Sequence, residues 1–248
     1  MNLIPPEMMV IFGLILMAIA FLYASVGHGG ASGYLALMSL FSFPISFMKP
    51  TALLLNLFVA ATAFWYFKKN RHFNWKLFYP FAITSIPAAF LGGYLSINGN
   101  LYKQILGVFL LIAILRMMGI FGREKEEKRK LNFLWAMIIG FGIGLFSGMI
   151  GIGGGIILSP VIILLAWGSM KEAAAVSALF IFVNSLAGMA GFLLHHDFFP
   201  INSFFLVPPA IIGGIVGAMY GSKKFSNRTL TYILSVVLIM ASVKLFII

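Results

Sequence analysis

The chain has 248 residues, of which 61% are hydrophobic and 9% charged. A soluble domain runs at about 45–50% apolar and about 25% charged, so this composition excludes a cytosolic globular enzyme, a disordered regulator and a secreted mini-protein, and leaves an integral membrane protein. The net charge of +11 comes from basic residues in short loops between apolar runs, which orients a membrane protein and is not read as nucleic-acid binding. With no cysteine, disulfides, thiolate metal sites and cysteine nucleophiles are excluded.

The apolar runs in chain order are 8–26, 33–47, 50–67, 78–97, 103–120, 133–150, 154–167, 172–193, 202–221 and 229–247. None alternates polar with apolar residues, so the segments are helices and not strands of a membrane barrel. No Lys or Arg precedes Lys49, so 8–26 reads as a retained span and not a cleavable signal. Runs 33–47 and 154–167 fall short of the ~20 residues a spanning helix needs. Each follows a glycine cluster.

The most polar stretch, Gly122–Lys130, falls near the middle of the chain. It divides a first membrane repeat (1–121) from a second (133–248), with 122–132 as a charged cytoplasmic loop. The halves repeat. Val26-Gly27-His28-Gly29-Gly30 aligns with Ile150-Gly151-Ile152-Gly153-Gly154, and Thr51-Ala52-Leu53 with Ser177-Ala178-Leu179. Pro87 before Gly92-Gly93 resembles Pro208 before Gly213-Gly214, and Lys103 to Arg116 aligns without a gap on Thr231 to Lys244.

If all ten segments reverse the chain, as spans or hairpin arms, every Lys and Arg except Lys49, Lys103 and Lys244 falls on one side. Merging each short run with its predecessor gives a weaker bias, so the positive-inside rule favours ten reversals with both termini outside. Five reversals per half make the halves opposite in orientation. The expected fold is therefore an all-α polytopic membrane protein of two inverted repeats, the architecture of many secondary transporters.

The candidate site begins with the two clusters: Gly27, His28, Gly29, Gly30 and Ser32, and Gly151, Gly153, Gly154 and Gly155. Glycine permits irregular backbone, which at membrane depth survives only where it is buried in protein or lines a cavity. Free N–H groups at the start of the following helix suit an anion. Tight helix packing or a plain turn is the other reading. His28 is the one titratable side chain in either cluster and could hold an anion or shuttle a proton. Thr51, Asn56, Ser177, Asn184 and Ser185 must face protein or water, as substrate ligands or as interhelical bonds. Ser25, Ser147 and Ser159 are weaker cases.

Every acidic residue (Glu7, Glu124, Glu126, Glu127, Glu172, Asp197) lies at a segment end or in a loop. That pattern suits an anionic substrate and argues against a desolvated cation site. Arg116 and Lys244 read as snorkelling residues at segment ends, with a substrate gate as the alternative. His195-His196-Asp197 is too weak a signal for a metal site, and no metal or cofactor is expected. No Walker loop, nucleophile elbow or zinc-protease motif is present, and no enzymatic activity is expected.

The duplicated signature Val26-Gly27-His28-Gly29-Gly30 and Gly148-Met149-Ile150-Gly151-Ile152-Gly153-Gly154-Gly155, with Ser177-Ala178-Leu179 through Asn184-Ser185-Leu186-Ala187-Gly188, resembles the sulfite exporter TauE/SafE family. The resemblance covers essentially the whole chain. It implies a bacterial or archaeal inner-membrane permease for sulfite, sulfoacetate, other organosulfonates or related small anions. The site it carries over is the pair of glycine motifs and the polar residues after them. His28 departs from the plainer glycine-rich form, which makes the two copies unequal. The expected function is a secondary transporter, an exporter of such an anion by alternating access. The expected partners are the anion and the lipid bilayer, and a homo-oligomer is compatible with the composition. An anion channel, or a membrane sensor or assembly subunit without flux, is the alternative.

Overall fold

The computed structural model describes residues 6–95, 128–195 and 199–222, with separate positions between 98 and 115. All regular structure among the described residues is helical. The first half supplies α1 (Pro6–Ser25), α2 (Ala31–Leu40), α3 (Ile45–Lys69) and α4 (Trp75–Tyr94). The second supplies α5 (Phe133–Ile150), α6 (Gly155–Leu164), α7 (Met170–His195), a 3-10 turn (Ile201–Leu206) and α8 (Val207–Gly221). The segment expected at 229–247 and most of that at 103–120 lie outside the described residues. So do Lys103, Arg116, His196, Asp197 and Lys244.

Six described segments are long and apolar enough to cross a membrane. The chain is a multi-pass membrane protein. Outward side chains such as Trp65, Leu134, Leu194 and Phe205 are about two-thirds exposed or more, an arrangement a lipid solvent tolerates and water does not. The ten-residue α2 and α6 rise ~15 Å, half the ~30 Å hydrocarbon thickness. They do not cross. Each is a half-depth arm that follows a glycine break.

Both halves build that arm in the same way. The break before α2 holds Gly27 and Gly30 at φ 77° and 95°; the break before α6 holds Gly151, Gly153 and Gly154 at 91°, 77° and 78°. In both, a backbone N–H two or three residues beyond the preceding helix reaches back five residues: His28 N to Tyr23 O (2.9 Å) and Ile152 N to Ser147 O (3.2 Å). Each short helix ends at a left-handed residue, Ser42 (φ 59°) or Ala166 (φ 56°). The next N–H reaches back five residues in both copies, Phe43 to Met38 O and Trp167 to Ile162 O. The breaks fold the chain back. Ser32 Oγ and Tyr23 Oη are 2.7 Å apart, and a side chain on Gly33 would strike Ile19 and Tyr23 of α1.

The reversal corrects one expectation. Run 33–47 ends its helix at Leu40, and α3 already begins at Ile45. Lys49, read from the sequence as an extracytoplasmic loop residue, therefore lies within α3 and is 6% exposed. Proline at position 50 marks a boundary in the sequence, but here it is the sixth residue of α3 and lies inside the helix, where its missing N–H forgoes one helical bond.

Backbones meet at small residues. Gly140, Gly144 and Gly148 of α5 press on the backbone of Phe81, Ser85 and Ala89 of α4. Gly213, Gly217 and Gly221 of α8 press on Met17, Phe21 and Ser25 of α1. The exchange is reciprocal: the first helix of each half packs along a later helix of the other. The equivalent long helices α3 and α7 also meet, with Lys49, Leu53 and Asn56 against Phe192, Gly188 and Ser185. Numbers rise on one helix as they fall on the other, so α3 and α7 are antiparallel.

Candidate functional site

The two breaks converge on the middle of α3. Asn56 is fully buried there. Its Nδ2 donates to Ile152 O and to Ser185 Oγ, both at 3.2 Å. The Ile152 carbonyl can only accept, which fixes the orientation of the amide. A Cβ on Gly29 would strike Asn56 Oδ1, and a Cβ on Gly153 would lie 2.7 Å from Asn56 Nδ2 and 3.0 Å from Ser185 Oγ. Glycine is thus required at both places by close approach, and at Gly153 by its left-handed backbone as well. Ile181 of α7 fills the space between the breaks, since side chains on Gly29, Gly153 or Gly155 would all strike it.

Beside this junction runs a second polar chain. His28, 3% exposed, places Nε2 3.2 Å from Ser159 Oγ. Ser159 Oγ is 2.7 Å from Ser177 Oγ and 3.3 Å from the Gly155 carbonyl. The chain links the first break to α6 and α7, so the histidine that makes the copies unequal is answered by serines of the second half.

The short helices begin inside the protein. Their N-caps, Gly30 and Gly154, carry no side-chain cap, and their opening residues are buried. The first N–H groups of a helix have no intrahelical partner, and they carry the positive end of its dipole. Asn56 Oδ1 and Thr51 Oγ1 are buried without a hydrogen-bond partner among the described residues. Leaving such a group unsatisfied costs ~1–3 kcal/mol. Ser85 Oγ, Ser147 Oγ and Asn184 Oδ1 are in the same condition, so unmet polar atoms are spread along the packed helices and are not confined to the junction.

The remaining sequence candidates divide. Ser32 bonds Tyr23. Gly27 packs on Ala174, Gly30 on Tyr34, and Gly154 on Ile143 and Phe180, so these three serve close packing. Gly151 lies against Lys49. Asn184 turns back to its own helix, donating to Phe180 O at 2.8 Å. His195 packs its ring edge-on to Tyr94, with centroids 4.7 Å apart. Sequence reasoning missed Ile181, Tyr23 and Lys49. The signal for Tyr23 was its place five residues before His28; Ile181 had none, being one apolar residue among many.

Residues 11–245 match the family model described as Sulfite exporter TauE/SafE. A protein of Sinorhizobium fredii described as a probable membrane transporter protein is 37% identical over 235 residues, covering 92% of this chain and 94% of its own. Similar proteins with the same description come from Bacillus subtilis (27% identical; 79% of this chain, 78% of that one) and Methanocaldococcus jannaschii (25%; 68% and 67%). No solved structure matches the chain significantly.

Proposed function

We propose a function from one premise: the chain belongs to the sulfite exporter TauE/SafE family. It is a membrane transporter. Its substrate is a small oxyanion, sulfite or an organosulfonate, bound where the two breaks meet. The observation that carries this is the convergence of two buried, uncapped helix starts on the Asn56–Ser185 pair. Helix N-termini directed at an anionic group near the midplane are how transporters with broken helices hold such substrates. The absence of acidic residues from the interior of the apolar runs leaves nothing there to repel it.

The halves form an inverted repeat. Equivalent helices of parallel halves would point the same way, whereas α3 and α7 pack antiparallel through Asn56 and Ser185. The ten-reversal topology, with both termini outside the cytoplasmic membrane, also requires that direction. Alternating access follows from rocking one half against the other around the junction. Export of an anion down an outside-positive potential gains ~2.3 kcal/mol per charge per 100 mV, so a coupled proton is not required.

Uptake of labelled sulfite into proteoliposomes, with sulfoacetate, thiosulfate and sulfate as competitors, tests the assignment. Saturable flux blocked by one competitor ranks the substrates. No flux above empty liposomes with any of the four overturns the sulfur-oxyanion assignment.

A further inference from the structure

Lys49 has no role in the site described so far, and its surroundings are unusual for a lysine. Lysine is almost never fully buried unless it is paired. Lys49 is 6% exposed, and its Nζ donates to Gly93 O at 3.1 Å and Gly92 O at 3.5 Å, with the ring of Phe192 5.6 Å away. These partners are neutral. No ion pair to Lys49 exists among the described residues, where Glu172 is engaged by Lys128 at 2.6 Å. In the sequence, no acidic residue falls inside an apolar run except Glu172, at the start of its own. Burying a cation without a counter-charge is expensive, and helix-end carbonyls offset only part of that cost.

The position of Lys49 indicates what the counter-charge is. Lys49 and Asn56 are seven residues apart on α3, so they lie on the same face, two turns or ~10.5 Å apart. The second break follows that face. Gly151 lies beside Lys49, where a Cβ would be 3.0 Å from its carbonyl and 3.4 Å from its Cγ; Gly153 lies beside Asn56. The break therefore runs from the backbone and Cγ of Lys49 to the amide at the centre of the site, while the ammonium itself rests on the Gly92 and Gly93 carbonyls at the end of α4. Two further side chains hold the break's carbonyls, Tyr102 on Ile150 O at 3.0 Å and Asn56 on Ile152 O at 3.2 Å. No acidic side chain among the described residues completes this arrangement.

We propose that Lys49 is the charge-selecting residue of the anion path, holding a buried positive charge beside the second glycine break that favours substrates in proportion to their negative charge. This rests on the small-anion reading of the junction and adds to it the group that distinguishes dianions from monoanions. Over ~10 Å at an effective dielectric constant of ~20, one unit charge changes affinity by about tenfold for each negative charge on the ligand.

The test compares Lys49→Gln, Lys49→Arg and the unaltered protein in proteoliposomes, with sulfoacetate as dianion and methanesulfonate as monoanion. Glutamine is one bond shorter than lysine but still carries N–H donors, so K49Q removes the charge and keeps a polar side chain at the helix end. The expected result is a KM in K49Q raised about tenfold for methanesulfonate and about a hundredfold for sulfoacetate, with K49R close to the unaltered protein for both. An equal loss for the two anions, or no loss, overturns the inference while leaving the junction in place. If K49Q and Lys49→Met both fail to yield a monodisperse protein while K49R folds, the charge serves folding and the inference is also overturned. If the unaltered protein moves neither anion nor sulfite and shows no thermal shift with any of the three, the small-anion reading itself fails.

Discussion

Asn56 and Ser185 tie the two halves together at the middle of their longest helices, Nδ2 to Oγ at 3.2 Å, while the same amide holds the Ile152 carbonyl of the second break. One side chain thus fixes helix α3, helix α7 and a break that neither helix contains. Replacing Asn56 by alanine removes both bonds and leaves the buried Ile152 carbonyl unsatisfied, at a cost of ~1–3 kcal/mol. The Asn56→Ala variant is expected to fold, to melt several degrees lower in a thermal-shift assay, and to lose at least nine-tenths of its anion flux.

The glycines at the junction carry a sharper expectation. Gly153→Ala drives a methyl group to 2.7 Å from Asn56 Nδ2 and Ile181 Cγ2, on a backbone at φ 77°. Flux is expected to vanish. Gly142→Ala, on the same half of the chain but with nothing within 4 Å of the new methyl, is expected to keep full flux and to gain up to ~1 kcal/mol from helix propensity. Equal flux in the two variants would contradict the close approach described here.

His28, Ser159 and Ser177 form one unit, joined at 3.2 Å and 2.7 Å. His28→Ala and Ser159→Ala should each reduce transport, and the double variant should do little more than the worse single one. A double-mutant cycle on kcat/KM is expected to give a coupling of ~0.5–3 kcal/mol, the range for residues in contact. Additive losses would mean that the histidine acts apart from the serines.

The antiparallel packing of α3 and α7 places Ser46 and His195 at one face of the membrane and Arg71 and Lys171 at the other. All four are exposed, and the chain has no native cysteine, so single cysteines can be read without background. Impermeant thiol reagents applied outside intact cells are expected to label Ser46→Cys and His195→Cys and to spare Arg71→Cys and Lys171→Cys. Labelling of 46 and 171 from the same side would refute the inverted arrangement.

Much of this was legible in the sequence. Glycine clusters and a midspan asparagine have few meanings in a membrane chain, and Gly29, Gly153, Asn56 and Ser185 meet in the fold. Lys49 was not legible. A lysine followed by proline between apolar runs has the local signature of a loop, and only the turn at Ser42 shows that the helix has already restarted. Ile181 was hidden for a different reason. In a helix apolar on every side, periodicity does not separate the residue facing the junction from those facing lipid. Asn184 was the opposite case: its Nδ2 donates within its own helix, to Phe180 O, an option open to any helical asparagine.

The central claim is that anions cross this protein through alternate exposure of the site around Asn56. Exchange in proteoliposomes tests it most directly, by loading the interior with unlabelled sulfite and following entry of labelled sulfite from outside. The account predicts that internal sulfite accelerates entry, that the rate saturates, and that Asn56→Ala abolishes the acceleration. Entry that is insensitive to internal sulfite, or that rises linearly with concentration and appears as current in a planar bilayer, would contradict alternating access and make the protein a channel.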